Sequence, residues 1–362
     1  MKKILIVSNM YPSEEFPHYG VFVKNTEKIL VDAGFVVDRS VMYKQRKILL
    51  KILTYLMFYL KTIFLIIFNK YDYVYIHFAS LSSLPVLIAR SLTAFKIVVN
   101  VHGNDLVPET SKDKKYAGIV KKVLEVSETV VSPSRYFSDI LIKDFGIIEK
   151  KIVTFPSGGV DDSIFFPINR EKLMEKMNLD KSKFYLGFIS RLEVNKGWDI
   201  FLKASKKILN DDIHNKTEII VVGDGSEKEK FFSLVDKLGL RDKVHYYPLL
   251  SQKEVNSIMN GIDIFCFPTN RKSESLGLIG LEAMATRTMV VANNSYGPSS
   301  YMVHNENGIC FSKNDPNELY DAINIALKLD SQKREKILDE AFRTSQKFSI
   351  SSLKEVLINI FK

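Results

Sequence analysis

The chain has 362 residues, 46% apolar and 26% charged, with 17 Gly and 11 Pro, a balance that excludes a disordered, collagen-like or multi-spanning chain and leaves room for two domains with their own cores. Two cysteines, Cys266 and Cys310, exclude a disulfide framework; each lies in an apolar run and reads as a free buried thiol of a reducing cytosol. The net charge is +9, and it is one-sided: residues 1–160 carry 22 Lys and Arg against 14 Asp and Glu (+8), the remainder 29 against 28 (+1), which points to an anionic partner for the first half.

Lys2 and Lys3 lead directly into Ile4-Leu5-Ile6-Val7, too short for the apolar core of a secretory leader and better read as a first strand. Short β-branched runs then alternate with helical patterns, predicting parallel sheets covered by helices. In the first half the strands fall at 4–8, 36–43, 73–78, 96–101, 129–132 and 152–155, with helices at 21–32 and 134–143 among those between them. The Gly- and Pro-containing stretch 156–170 reads as a break, followed by a short helix at 171–177. A second series follows, with strands at 184–189, 218–222, 244–247, 262–267, 289–292 and 308–311. The expected fold is two Rossmann-like, doubly wound parallel-sheet domains facing across a cleft. We divide the chain into a first domain, 1–165, a second, 166–345, and a C-terminal helix, 346–362, packing back on the first.

Residues 48–68 form a mostly apolar run of the length that spans a bilayer, interrupted by Lys51 and Lys61. At helical spacing Lys51, Thr54, Tyr55, Tyr59, Lys61 and Thr62 share one arc, and Ile52, Leu53, Leu56, Met57, Leu60, Ile63, Phe64 and Ile67 lie opposite. Phe58 and Leu65 fall on the polar side. The pattern predicts a helix packed on the sheet through its apolar arc. The sharper reading, compatible with it, is a helix whose Lys and Tyr face meets a membrane surface. The stretch 39–70 holds seven basic residues (Arg39, Lys44, Arg46, Lys47, Lys51, Lys61, Lys70) and no acid.

Chemistry concentrates in two places. After the strand at 262–267, Glu274 sits in a loop, a helix begins near Gly277, and Glu282 lies about a turn into it. The N–H groups near Leu278 and Ile279 then form an anion site flanked by carboxylates suited to sugar hydroxyls. After the strand at 184–189, Arg191 and Lys196-Gly197 bring two cations to the carboxyl ends of neighbouring strands, where open α/β sheets bind ligands; both are expected to be exposed. Gly223-Asp224-Gly225 lacks the third glycine of a dinucleotide fingerprint, since position 228 is Lys. Asp161-Asp162 and Asp211-Asp212 lack metal-holding flanks, and no metal or cofactor is expected. Taken alone, His77 reads as a core histidine and Trp198 as helix packing.

In these residues the chain resembles the GT-B-fold glycosyltransferases of glycosyltransferase family 4. The resemblance rests on Arg191, Lys196 and Gly197, on Gly223-x-Gly225, and on Glu274 and Glu282 with seven residues between them. It extends to Gly20 after Pro12 and Pro17, a strand ending in His77, His102-Gly103-x-Asp105, and the junction from Pro156-Ser-Gly-Gly-Val-Asp161 to Phe166-Pro167, and so covers nearly the whole chain. It implies that Arg191 and Lys196 neutralise a donor diphosphate, helped by the Gly20 backbone and by Leu278 and Ile279. Glu274 would hold the donor sugar, Glu282 the ribose, and His102 would lie beside the reacting bond. It also implies retention of configuration by front-face attack. The sequence departs from the pattern at Met289, Pro248 and Tyr296-Gly297-Pro298-Ser299-Ser300, where the family carries Pro, Gly and a Gly-Gly-x-x-Glu turn.

The leading expectation is a retaining, metal-independent hexosyltransferase. It takes a nucleotide-sugar, UDP-linked by preference, to a lipid-linked or oligosaccharide acceptor in bacterial surface-polysaccharide synthesis, peripheral on the inner face of the cell membrane. A nucleotide-sugar epimerase or hydrolase on the same fold is an alternative. A basic nucleic-acid-binding protein is a third, disfavoured by an apolar basic stretch without base-reading residues.

Overall fold

The computed structural model describes residues 2–16, 19–45, 47–156, 158–177, 179–211 and 216–362. Pro17, Arg46, Ser157 and Asp212, invoked above, lie outside the described residues. The chain divides into two units: Met1–Gly159 with Leu353–Lys362, and Val160–Ser352.

Unit 1 is built on a six-stranded sheet of β1 (Lys3–Tyr11), β2 (Val36–Tyr43), β3 (Tyr73–His77), β4 (Lys96–Asn100), β5 (Thr129–Ser132) and β6 (Ile152–Thr154). Its order is β2-β1-β3-β4-β5-β6, parallel throughout. Strand β3 is buried along its whole length, as a central strand covered on both faces must be, whereas the edge strand β2 is buried only at Ser40 and Met42. Unit 2 repeats the plan with β7 (Phe184–Ile189), β8 (Thr217–Val222), β9 (Val244–Tyr247), β10 (Ile264–Phe267), β11 (Met289–Asn293) and β12 (Ile309–Phe311), in the order β12-β11-β10-β7-β8-β9. Alternate residues of β10 and β11 enter two separate apolar clusters, one on each face of this sheet. All twelve strands coincide with the sequence reading to within three residues at either end. Cys266 is buried; Cys310 is only partly so, because it lies on the edge strand β12.

The division between the units falls at Gly159/Val160 rather than after residue 165. Val160 already belongs to unit 2: its N–H bonds to the Phe348 carbonyl (2.8 Å), and its own carbonyl accepts from Ile350 (2.9 Å). The last helix, Ile350–Phe361, carries the chain back to unit 1. There Phe361 packs against Tyr73, Tyr75 and Phe35, with ring centroids 5.2–6.3 Å apart.

The helix Ile48–Phe68 forms where expected but is turned over. Its packed face holds Phe58, Thr62 and Ile66, with Tyr55, Tyr59 and Leu65 beside them. Thr62 Oγ1 is 2.8 Å from Ser40 Oγ on β2, and the Tyr55 hydroxyl accepts a hydrogen bond from Asn9 Nδ2 (3.4 Å). The apolar arc expected against the sheet faces water instead: Ile52, Leu53, Leu56, Met57, Leu60 and Phe64 are 52–64% exposed, and Ile67 38%. Leu49 and Phe68 extend this face to the helix ends, at 82% and 70% exposed. This is the one described helix long and apolar enough to cross a membrane. Hydropathy alone separates two faces of a helix; it does not say which of them the protein keeps, and here Ser40 and Asn9 recruit the hydroxyl-bearing one.

Candidate active site

In unit 2 the loop after β7 and the loop after β10 are pressed together. Gly197 has φ +81°, and a Cβ there would stand 2.1 Å from the Pro268 carbonyl oxygen, so only glycine fits. That contact delivers Lys196 to Glu274: Nζ lies 2.5 Å from Oε2, both side chains being nearly buried (11% and 14% exposed). The same oxygen accepts from Thr269 Oγ1 (3.2 Å). Burial alone would raise the Glu274 carboxyl; the Lys196 ammonium, with Arg271 and the Thr269 hydroxyl, outweighs it and holds the group below the usual carboxylate range. Lys196 is therefore not the exposed cation expected from the sequence. Arg191 is exposed as expected (57%) and its guanidinium meets Glu193 at 2.7 Å. Glu193 bridges in turn to Arg271 (3.2 Å), a nearly buried cation that the sequence reading missed. Arg271 carries no motif, and only the fold of the 268–274 loop brings it to Glu193.

The helix after this loop, Leu278–Ala285, starts where expected, behind Gly277. The N–H groups of Leu278 and Ile279 lie in its first turn, where an α-helix offers no internal acceptor. Glu282 follows one turn later. It has no hydrogen-bond partner among the described residues, and burial pushes its carboxyl up to about 7. Tyr296, where the family carries glycine, adopts φ +59°; the next N–H, of Gly297, bonds the Glu274 carbonyl (3.0 Å) and ties this strained turn to the same loop.

Unit 1 has its own polar centre at the carboxyl ends of β1, β3 and β4. Gly20 has φ +79° and caps the helix Val21–Asp32; a Cβ there would lie 2.7 Å from the Met10 backbone. Phe22, two residues on, packs tilted against His102 with ring centroids 4.4 Å apart. His102 follows β4, and its Nε2 is 3.1 Å from Nδ1 of His77, the last residue of β3. The His102–Gly103 turn is shaped by the buried Asp105, whose carboxylate accepts the backbone N–H groups of Ala79, His102, Gly103 and Leu106 at 2.7–3.1 Å. Burial lowers His102 to about 3 and, with the neighbouring His102, holds His77 well below the usual imidazole range, so both imidazoles are neutral. His77, read from the sequence as a core residue, is fully buried but also touches the candidate site. Among the described residues no cluster of three or more His, Cys, Asp or Glu is placed to hold a metal ion.

A family model described as Glycosyltransferase Family 4 matches residues 17–163, and one described as Glycosyl transferases group 1 matches residues 169–344. A D-inositol 3-phosphate glycosyltransferase of Streptosporangium roseum is 23% identical over 264 residues, covering 69% of this chain and 60% of its own. The chain thus spans about three fifths of the length of that relative. An uncharacterized 41.2 kDa protein in the cps region of Klebsiella pneumoniae is 24% identical over 319 residues, 84% of this chain and 83% of its own. Among solved structures, Anabaena Alr3699/HepE in complex with UDP and glucose superposes with a TM-score of 0.78 at 18% identity, over 99% of each chain, which establishes the shared two-sheet fold.

Proposed function

The chain belongs to the glycosyltransferases, as a family 4 domain followed by a group 1 domain on the GT-B fold, and from that premise we propose that it transfers a hexose from a UDP-sugar to a lipid-linked glycan at a membrane surface, with retention of configuration. One observation carries the donor site: the Lys196–Glu274 contact beside a helix N-terminus, with the unpartnered Glu282 one turn inside. An arriving diphosphate competes with Glu274 for Lys196. As the ammonium turns to phosphate, the carboxylate is released to accept hydroxyls of the sugar. Arg191, paired with Glu193, and the N–H groups of Leu278 and Ile279 take up further phosphate charge. Ribose hydroxyls satisfy Glu282.

The glycosidic bond breaks as negative charge grows on the departing phosphate oxygen, and the cations stabilise that charge. The acceptor hydroxyl bonds to the same face of the anomeric carbon, and its proton passes to the departing oxygen. In unit 1 the proposal takes His102 as the group beside the transferred sugar and the Gly20 backbone as a second phosphate contact. The UDP and glucose held by HepE favour a UDP-sugar, and the cps-region relative favours a surface polysaccharide. The exposed apolar face of Ile48–Phe68, bordered by the exposed Lys44, Lys47, Lys51 and Lys61, favours an anionic membrane as the site of work, at the cytoplasmic face.

A thermal-unfolding screen across UDP-, GDP-, dTDP- and CDP-linked sugars tests the donor. A ligand at a hundredfold excess over its Kd stabilises by about 2.7 kcal/mol. UDP-sugars are expected to give the largest shift; a protein indifferent to every nucleotide-sugar overturns the reading.

A further inference from the structure

A neutral imidazole has one N–H and one lone pair, so the 3.1 Å contact between His77 Nδ1 and His102 Nε2 exists in only two forms. If His102 donates, His77 must carry its own proton on Nε2. If His77 donates, its Nε2 is a bare lone pair and His102 carries its proton on Nδ1. The two differ in what they leave behind. His77 is fully buried, and its Nε2 has no partner among the described residues. A buried N–H without an acceptor is rarer in folded proteins than an under-used lone pair, and an unsatisfied donor costs about 1–3 kcal/mol. We infer that His77 is a positioning residue: by donating from Nδ1 it fixes His102 in the Nδ1–H tautomer, so that His102 offers substrate a hydrogen-bond donor and not a base.

The surroundings hold the pair in place. The His102 ring packs against Phe22 (4.4 Å, tilted) and Phe78 (5.3 Å, nearly parallel), and the Asp105 carboxylate anchors the backbone on both sides of the contact, at Ala79 and at His102. His102 is only part-buried, and its Nδ1 has no protein partner among the described residues, so this is the atom left for a ligand oxygen. A donor there suits the proposed reaction, in which the acceptor's proton leaves with the phosphate and no protein base is called for. The inference rests on that reading only for its kinetic part.

Nitrogen-15 NMR of the uniformly labelled, ligand-free protein reads the tautomer directly. The expected spectrum shows His102 protonated at Nδ1, the form that free histidine disfavours, with Nε2 bare. In His77→Leu, His102 is expected to revert to Nε2–H, and sugar transfer to fall by about tenfold or more in kcat with donor KM within a few-fold. A wild-type His102 protonated at Nε2 overturns the proposal without any variant. So does a folded His77→Leu protein in which the Nδ1–H form persists. If the tautomers behave as stated but no nucleotide-sugar is turned over, the functional reading fails and this one stands.

Discussion

A part-buried carboxyl group with no partner among the described residues, as Glu282 is, has its titration pushed up to about 7 by desolvation, against 4.5 for the unperturbed group, and this links stability and binding to pH with opposite signs. Between those values the folded state binds more protons than the unfolded, so stability falls as pH rises from 4.5 to 7 and stays lowered above. The accumulated loss is roughly 3 kcal/mol. Glu282→Gln is therefore expected to match the parent near pH 4.5 and to be the more stable protein at pH 8. Nucleotide binding runs the other way, because ribose hydroxyls pair with the ionised form: UDP affinity in the parent should rise by up to tenfold per unit below pH 7 and level off above. Calorimetric titration of parent and Glu282→Gln across pH 5.5–8.5 separates this from ionisation of the nucleotide itself. Parallel pH profiles for the two proteins would remove Glu282 from the ribose. Lys196 and Arg191 make a second contrast. Removing Lys196 strands the buried Glu274 carboxylate, and breaking such a pair costs about 3–5 kcal/mol, whereas the exposed Arg191–Glu193 pair contributes at most about 1 kcal/mol. Both alanine variants should slow transfer about 10²–10³-fold, but only Lys196→Ala should melt early. Equal melting of the two would contradict the buried geometry.

At the level of elements, the helix Ile48–Phe68 sets the sharpest test, because its two faces forecast different phenotypes. Its 21 residues extend about 32 Å. A helix lodged across a bilayer would have to abandon the Thr62–Ser40 and Tyr55–Asn9 contacts and withdraw Phe58 and Ile66 from the core, so the intact unit presents the helix lying flat. Leu53→Asp and Leu60→Asp should leave unfolding within about 0.5 kcal/mol of the parent, as substitutions at exposed sites do, and should abolish binding to vesicles containing anionic lipid. Phe58→Ala should cost about 3–5 kcal/mol in stability. Replacing Lys44, Lys47 and Lys51 with Gln should weaken vesicle binding, as should high salt, because the Debye length shrinks from about 10 Å at 0.1 M to about 3 Å at 1 M. A Leu53→Asp protein that unfolds, or one that binds vesicles as the parent does, returns this helix to the core.

Over the whole molecule, what the sequence made legible was local. Strand after strand could be read because a buried parallel strand is a continuous β-branched run, and the places of Arg191, Glu274 and Glu282 in the fold could be read because each sits at a fixed distance from a strand end or a helix start. Contacts between distant segments could not: Lys196 meets Glu274 across 78 positions, His77 meets His102 across 25, and Arg271 reaches Glu193 across 78. The C-terminal return is of the same kind. Phe361 is fully buried among Tyr73, Tyr75 and Phe35 of a unit whose other residues end at Gly159, so the last turn of the chain completes the core of the first half. Phe361→Ala should then cost about 3–5 kcal/mol, and the loss should fall on unit 1 although the residue lies 202 positions beyond Gly159. Hydrogen exchange read by mass spectrometry can assign it: peptides from β1, β3 and β4 should lose protection while those from β7, β10 and β11 keep theirs. UDP should do the converse, protecting unit 2 first, since its proposed contacts at Arg191, Lys196 and Glu282 all lie there. A Phe361→Ala protein that loosened both sheets to the same extent would mean that the two cores unfold as one.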